Sequence, residues 1–193
     1  MSAYQVFEVD QQGLNKLAVM QKAETQGVDF GYGLATVLTW IRETLVRGDM
    51  ITNASLSANR KVIDMRQAVY QYNTRSQHCG YLDFNPVVIA DLFSQFMLRQ
   101  LRADEGDLFE FAHVLEQMQA MPGLYLLYFR NSTRSRGYAV GYRFNRGSHM
   151  DMFDPAKGLF RFGQEDRHTL ILEHEDYLDF IGGEFWFKQL TLG

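Results

Sequence analysis

The side chains of this chain best equipped for chemistry are one cysteine, five histidines and an aspartate that stands just before a proline. That aspartate, Asp154, lies within GYAVGYRFNRGSHMDMFDPAKGLFRFG, residues 137–163, a run that alternates apolar and polar residues and then turns. An acid in such a place can orient an imidazole, and an oriented imidazole can take the proton of a thiol nucleophile. The other two members of such a triad are harder to find. Cys79, in SQHCGYLDF, is separated by six residues from the helix expected to open near Pro86. It therefore misses the helix N-terminus that would favour a thiolate, and reads as an incidental thiol. His78 is its neighbour in sequence only. His149 precedes Asp154 by five residues, shares strand parity with Asp151, and reads as a partly exposed strand histidine.

The remaining polar clusters read more plainly. His113, in FEFAHVLEQM, belongs to a core-like helix. His168, with His174 in the acidic run EHEDYLD (Glu173 to Asp179), offers imidazoles and carboxylates, but helical spacing does not bring two good ligands together. A solvated acidic face is expected there. The single cysteine excludes a Cys-based zinc site and an intrachain disulfide. GYGLA lacks the lysine and the preceding strand of a phosphate-binding loop. No metal and no cofactor is expected.

Two motifs carry more information than any lone residue. In GYGLATVLTWI, residues 31–41, Gly31, Tyr32 and Gly33 precede a small-residue, Leu-rich run, and Trp40-Ile41 begins seven residues after Gly33. In YAVGYRF followed by MFDPAKGLFRF, Phe153, Asp154, Pro155, Gly158, Phe160 and Phe162 form the second. Together they resemble the YopT-type cysteine proteases, papain-like enzymes among bacterial effectors, over roughly residues 28–163. The resemblance implies a nucleophile at the start of a central helix, a histidine on a strand and an acid on the next strand. In this chain the nucleophile position is Gly33, the histidine position is Tyr138, and only the acid, Asp154, is kept. Glycine has nothing to attack with, and a phenol with a pKa of about 10 is a poor base at neutral pH. Tyr138 is placed to bond Asp154 through its hydroxyl and to fill, with its ring, the space of the missing thiol.

The elements that must position these residues follow from periodicity. Residues 10–121 read as helices: GLNKLAVMQKAET, then LATVLTWIRETLV, apolar all round and ended by Gly48, then NRKVIDMRQAVYQY. NPVVIADLFSQFMLRQL opens with Asn85 as N-cap and Pro86 at the first helical position, and DLFEFAHVLEQMQAM is stopped by Pro122-Gly123. From residue 124 the segments LYLLYF, YAVGYRF, HMDMF, LFRF and EFWFKQLTL are short and aromatic with turn residues between, as strands are, and 165–181 reads as a further helix. The expected architecture is one α+β domain over 1–193 of papain-like layout, with a helical part at about 10–121 and an antiparallel-sheet part at about 122–193.

Composition bounds the function. With 46% hydrophobic and 14% aromatic residues, the chain can build a sizeable core. A formal charge of −4 argues against nucleic acid as a partner. No apolar run approaches the roughly 20 residues of a membrane span, and the N-terminus lacks the regions of a signal peptide. By the resemblance, a bacterial cytoplasm, or delivery into a host cell by a signal-peptide-independent system, is the expected location. The leading expectation is a catalytically inactive pseudoprotease that binds a protein or peptide through the cleft around Tyr138, Asp154 and Trp40. Arg134, Arg136 and Arg143, with Arg130 and Arg146 in the same hairpin, would form a rim for acidic groups. Two alternatives stand beside it: a hydrolase with a rebuilt site using Cys79 or His149 with Asp154, and a structural subunit that oligomerises through its aromatic strands.

Overall fold

The structure, a computed structural model, describes residues 4–7, 33–59, 61–63, 65–66, 86–101, 111–131, 137–146, 149–166, 169 and 183–193. The chain forms helices α1 (Gly33–Arg47), α2 (Asn53–Ala58), α3 (Pro86–Gln95) and α4 (Phe111–Ala120). Its strands are β1 (Tyr4–Phe7), β2 (Leu98–Gln100), β3 (Gly123–Asn131), β4 (Gly137–Phe144), β5 (His149–Asp154), β6 (Gly158–Gly163) and β7 (Gly183–Leu192). They make a seven-stranded sheet in the order β1-β6-β5-β4-β3-β7-β2, antiparallel at every pairing. The fold is α+β with few helices. Among the described residues no helix is long and apolar enough to cross a membrane.

Strand alternation sorts the sheet into two faces. Leu124, Leu126 and Tyr128 of β3, with Ala139 of β4 and Phe153 of β5, join Val37, Trp40 and Ile41 of α1 in one core. Tyr125 and Leu127, with Val140, Tyr142, Met150 and Met152, meet Leu115 and Met118 of α4 in the other. α1 is buried all along its first two turns, from Leu34 to Ile41, which is why its sequence is apolar all round. Its one buried carboxylate, Glu43, is held by Arg42 Nη1 and Arg47 Nε, each 2.6 Å away. Gly48, at φ +61° with open space around it, ends the helix in the left-handed conformation that glycine adopts most easily. The next helix, α2, starts with a reciprocal cap between Thr52 and Ser55.

Trp40 fixes α1 on the sheet. Its indole stacks on Phe153 with ring centres 5.2 Å apart and planes 10° from parallel. It also presses on Gly141, where a Cβ would come within 2.6 Å of the indole. Sequence reasoning put Trp40 in a binding cleft; the structure corrects this, because Trp40 is 1% exposed and belongs to the core.

Two expected boundaries also change. The helix over NPVVIADLFSQFMLRQL begins at Pro86 but ends at Gln95. Phe96 and Met97 close it by donating to Phe93 and Ser94 carbonyls, Met97 turns to φ +56°, and Leu98–Gln100 pairs with the end of β7 as an edge strand. At the opposite edge, Tyr4–Phe7 pairs with β6. One edge strand, β2, thus comes from the part expected to be helical, and the other, β1, from the residues before it. Of the segment NRKVIDMRQAVYQY, residues 61–63 and 65–66 are helical. The helices expected over GLNKLAVMQKAET and over most of 165–181 lie outside the described residues; within the latter, Gln164–Asp166 is a 3₁₀ turn.

Two predictions follow from this packing. Gly141→Ala drives a methyl against the indole of Trp40 and should lower the unfolding free energy by about 1–3 kcal/mol, read from urea midpoints. Lys188 of β7 is 3% exposed, and burial pushes its ammonium down to about 8 from 10.5. The folded state therefore binds fewer protons than the unfolded chain between those values, and the burial penalty is complete below pH 8 and relieved as the pH rises to 10.5. Relative to Lys188→Met, the wild type should gain stability on the order of 3 kcal/mol across that window, measured by urea denaturation at stepped pH.

Candidate functional site

α1 runs along β4 in the same direction. Its first residue, Gly33, abuts Ala139; Trp40 covers Gly141; and Asp49, just past its end, bonds Arg143. The start of the helix is thereby brought to the corner where β4 begins and β5 ends. A Cβ built on Gly33 would meet Pro155 Cγ at 3.3 Å and Ala139 N at 3.9 Å. These are the residues that directly follow Asp154 and Tyr138. Contact with Pro155 at that distance is tight, and a proline ring held in a turn gives little.

Asp154 is fully buried at the end of β5. Its Oδ1 accepts hydrogen bonds from the Tyr138 hydroxyl at 2.5 Å and from the backbone amides of Ala156 at 2.6 Å and Lys157 at 3.1 Å. Lys157 N also reaches the Asp154 carbonyl at 3.2 Å, which closes the turn into β6. The aspartate thus organises its own turn, as acids at the head of Asx-type turns do. Burial, the nearby Asp154 charge and the bond to it together hold the Tyr138 phenol far above its ordinary value of 10.0. At neutral pH Tyr138 is a committed donor and cannot act as a base.

The expected packing of Tyr138 is corrected in one respect. No atom of its ring lies within 4 Å of the Gly33 Cβ position, and among the described residues Pro155 is the nearest group instead. Tyr138 packs against the second core, on the same strand face as Val140 and Tyr142.

The other candidate residues distribute as follows. His149 stands at the opposite end of β5 from Asp154, roughly 16 Å along the strand at about 3.3 Å per residue. There its Nε2 is 2.9 Å from Asn145 Nδ2 and 3.6 Å from Asp151. A rebuilt site pairing His149 with Asp154 is therefore corrected: the strand holds them apart. Arg143 is no rim residue of this corner either, since its guanidinium bonds Asp49 at 2.5 Å. Arg134, Arg136, Cys79, His78, His168 and His174 lie outside the described residues, as do the side chains of Arg130 and His113. Pro155 and Ala139 were missed as site residues. The Asp-Pro dipeptide signalled a turn, but nothing local says which helix end that turn will face.

No family model matches the sequence, and no curated protein matches it. Among solved structures, the chain is similar to the Pseudomonas avirulence protein AvrPphB, at 13% identity with a TM-score of 0.62, over 84% of this chain and 92% of that one. The two share a fold. At that identity the likeness concerns the path of the backbone and leaves the chemistry of the corner to its own residues.

Those residues predict a stability effect. Tyr138→Phe strips one donor from a buried carboxylate and should cost about 1–3 kcal/mol, read from urea unfolding at neutral pH. The folded state holds the phenol proton more tightly than the unfolded chain does. The contribution of Tyr138 is therefore intact below its unfolded value of 10.0 and is lost as the pH rises beyond it. The gap between wild type and Tyr138→Phe should narrow above that pH.

Proposed function

We propose that this chain is a papain-like protein of the YopT type whose catalytic corner has lost its thiol chemistry, and that it acts by binding a protein or peptide. The observation that carries the reading is the environment of Gly33. The residue at the head of the central helix has no side chain, its Cβ direction is occupied by Pro155, and the neighbouring phenol is tied to Asp154. The shared backbone with an avirulence protein supports the papain-like part and an effector-like role in a bacterium. On this reading the chain works in the bacterial cytoplasm or in a host cell that it reaches without a signal peptide.

A thiol mechanism needs three things here: a nucleophile at the helix head, a base beside it, and room for the acyl group. Residues 33 and 138 withhold the first two, and Pro155 Cγ, 3.3 Å from the Cβ position of residue 33, crowds the third. What the corner retains is a rigid frame, with a buried carboxylate satisfied by three donors. A frame of that kind suits recognition, since it offers a fixed shape without a reactive group.

Purified protein incubated with casein should leave it intact, and Cys79 should react with iodoacetamide only at the pH of an ordinary thiol. Casein hydrolysis that Cys79→Ser abolishes would overturn the inactive reading. The papain-like geometry has its own test. In Gly33→Cys combined with Tyr138→His, the introduced thiol should react with iodoacetamide at a lower pH than in Gly33→Cys alone. Identical pH profiles for the two variants would show that positions 33 and 138 do not meet as that family requires.

A further inference from the structure

A second polar cluster lies at the other end of α1, about 22 Å from Gly33 by the length of the helix. Its core is a row across three strands. Register places Arg143 of β4 opposite Asp151 of β5, and Asp151 opposite Arg161 of β6. The Asp151 side chain is 2% exposed and takes a bidentate grip from Arg161, Nε to Oδ1 at 2.7 Å and Nη2 to Oδ2 at 3.0 Å. Arg143 Nη1 lies 3.8 Å from the same carboxylate. One buried negative charge thus holds two guanidiniums in place and leaves the row with one positive charge in excess.

That excess is met from outside by Asp49, which sits on the 3₁₀ turn Gly48–Met50 after α1. Its Oδ1 accepts from Arg143 Nη1 at 2.5 Å and from Arg161 Nη2 at 3.3 Å. The Asp49 side chain is 60% exposed, whereas those of Arg143 and Arg161 are 16% and 22% exposed. The carboxylate is a lid over the arginines. His149 completes the surround: ligand atoms of Asp49, His149 and Asp151 all lie within 4.8 Å of one another. Two acids and a histidine at that spacing resemble a cation site, but two guanidiniums already fill it with positive charge.

We propose that Arg143, Arg161 and His149 form a binding site for a phosphate-type oxyanion, and that Asp49 is its built-in occupant. Asp49 demonstrates the chemistry, because one carboxylate oxygen already bridges both guanidiniums. A tetrahedral oxyanion can place one oxygen in that bridge and keep others for His149 and solvent. Arginine forks suit phosphate geometry, and a phosphate oxyanion can take the place of the Asp49 carboxylate opposite the one positive charge that Asp151 leaves uncancelled. Because Asp49 is tethered, it competes at an effective concentration of about millimolar or above. An incoming anion must therefore displace it, and doing so frees the turn at the end of α1.

The test uses the full chain and inorganic phosphate, with calorimetry in chloride buffer. Asp49→Ala should bind phosphate saturably and at least tenfold more tightly than wild type, and Asp49→Asn should do the same should the alanine variant fold poorly. Adding Arg143→Gln to either background should weaken binding at least tenfold; Arg143 is the safer arginine to change, because Arg161 carries the bidentate grip on Asp151. Equal phosphate affinity in wild type and both Asp49 variants would overturn the proposal, as would binding insensitive to Arg143→Gln. Saturable Mn2+ binding by wild type, without phosphate binding by the Asp49 variants, would overturn it in favour of a cation site. These outcomes are independent of the fate of the Gly33 corner, whose assays read thiol reactivity.

Discussion

The structure depends on one contact, the indole of Trp40 stacked on the Phe153 ring and pressed close to the bare backbone of Gly141. An indole buries a large area, and stacking adds directionality that aliphatic packing lacks. The contact sets the height and the rotation of α1 over β4 and β5 at once. With the middle of the helix so clamped, its two ends have no freedom to choose neighbours. Gly33 falls beside Ala139 and Pro155, and Asp49 falls on Arg143 and Arg161. Both polar corners are consequences of a single hydrophobic seat, and each is satisfied by groups from different elements.

The two corners differ in how they handle a buried acid. Asp154 is satisfied by its own turn and by a phenol that keeps its proton at neutral pH. Asp151 is satisfied by charge, with an arginine bound through two parallel hydrogen bonds. Breaking a buried ion pair by deleting one partner is strongly destabilising, whereas replacing the pair whole often is not. The Arg143–Asp151–Arg161 row is thus no simple source of stability, and an exposed carboxylate, Asp49, sits on its open side.

How much of this was legible in the sequence depends on the range of the interaction. The limits of α1 were readable because apolarity all round and a glycine at the end are local signals; so was the turn at Asp154-Pro155. The end of α3 was not. MLRQL continues a helical pattern of apolar residues, and what stops the helix is the pairing of Leu98–Gln100 with a strand 90 residues later in the chain. β1 was invisible for the same reason, since YQVF is short and gains its strand character only against β6. Trp40 looked like a cleft residue because its spacing from Gly33 is conspicuous, yet spacing cannot tell which side of a fully buried helix meets the sheet. Arg143 looked available because its hairpin is basic; Asp49 and Asp151, which engage it, come from another element and from the register of a neighbouring strand.

The edge strands carry a consequence for biogenesis. Tyr4 pairs with Arg161, more than 150 residues away, and Leu98 pairs with Leu192. On a ribosome, the first strand emerges long before β6, the strand it pairs with, and the second cannot dock until β7 has been synthesised. Closing such distant pairs is slow, and edges left waiting are open to pairing with other chains. The central meander of β3 to β6 is contiguous and can assemble by itself, so the sheet should grow outward from its middle, with β1 able to join once β6 is made and β2 only after β7. A nascent chain stalled before β7 would expose β3 along its whole length, the kind of surface that holding chaperones recognise.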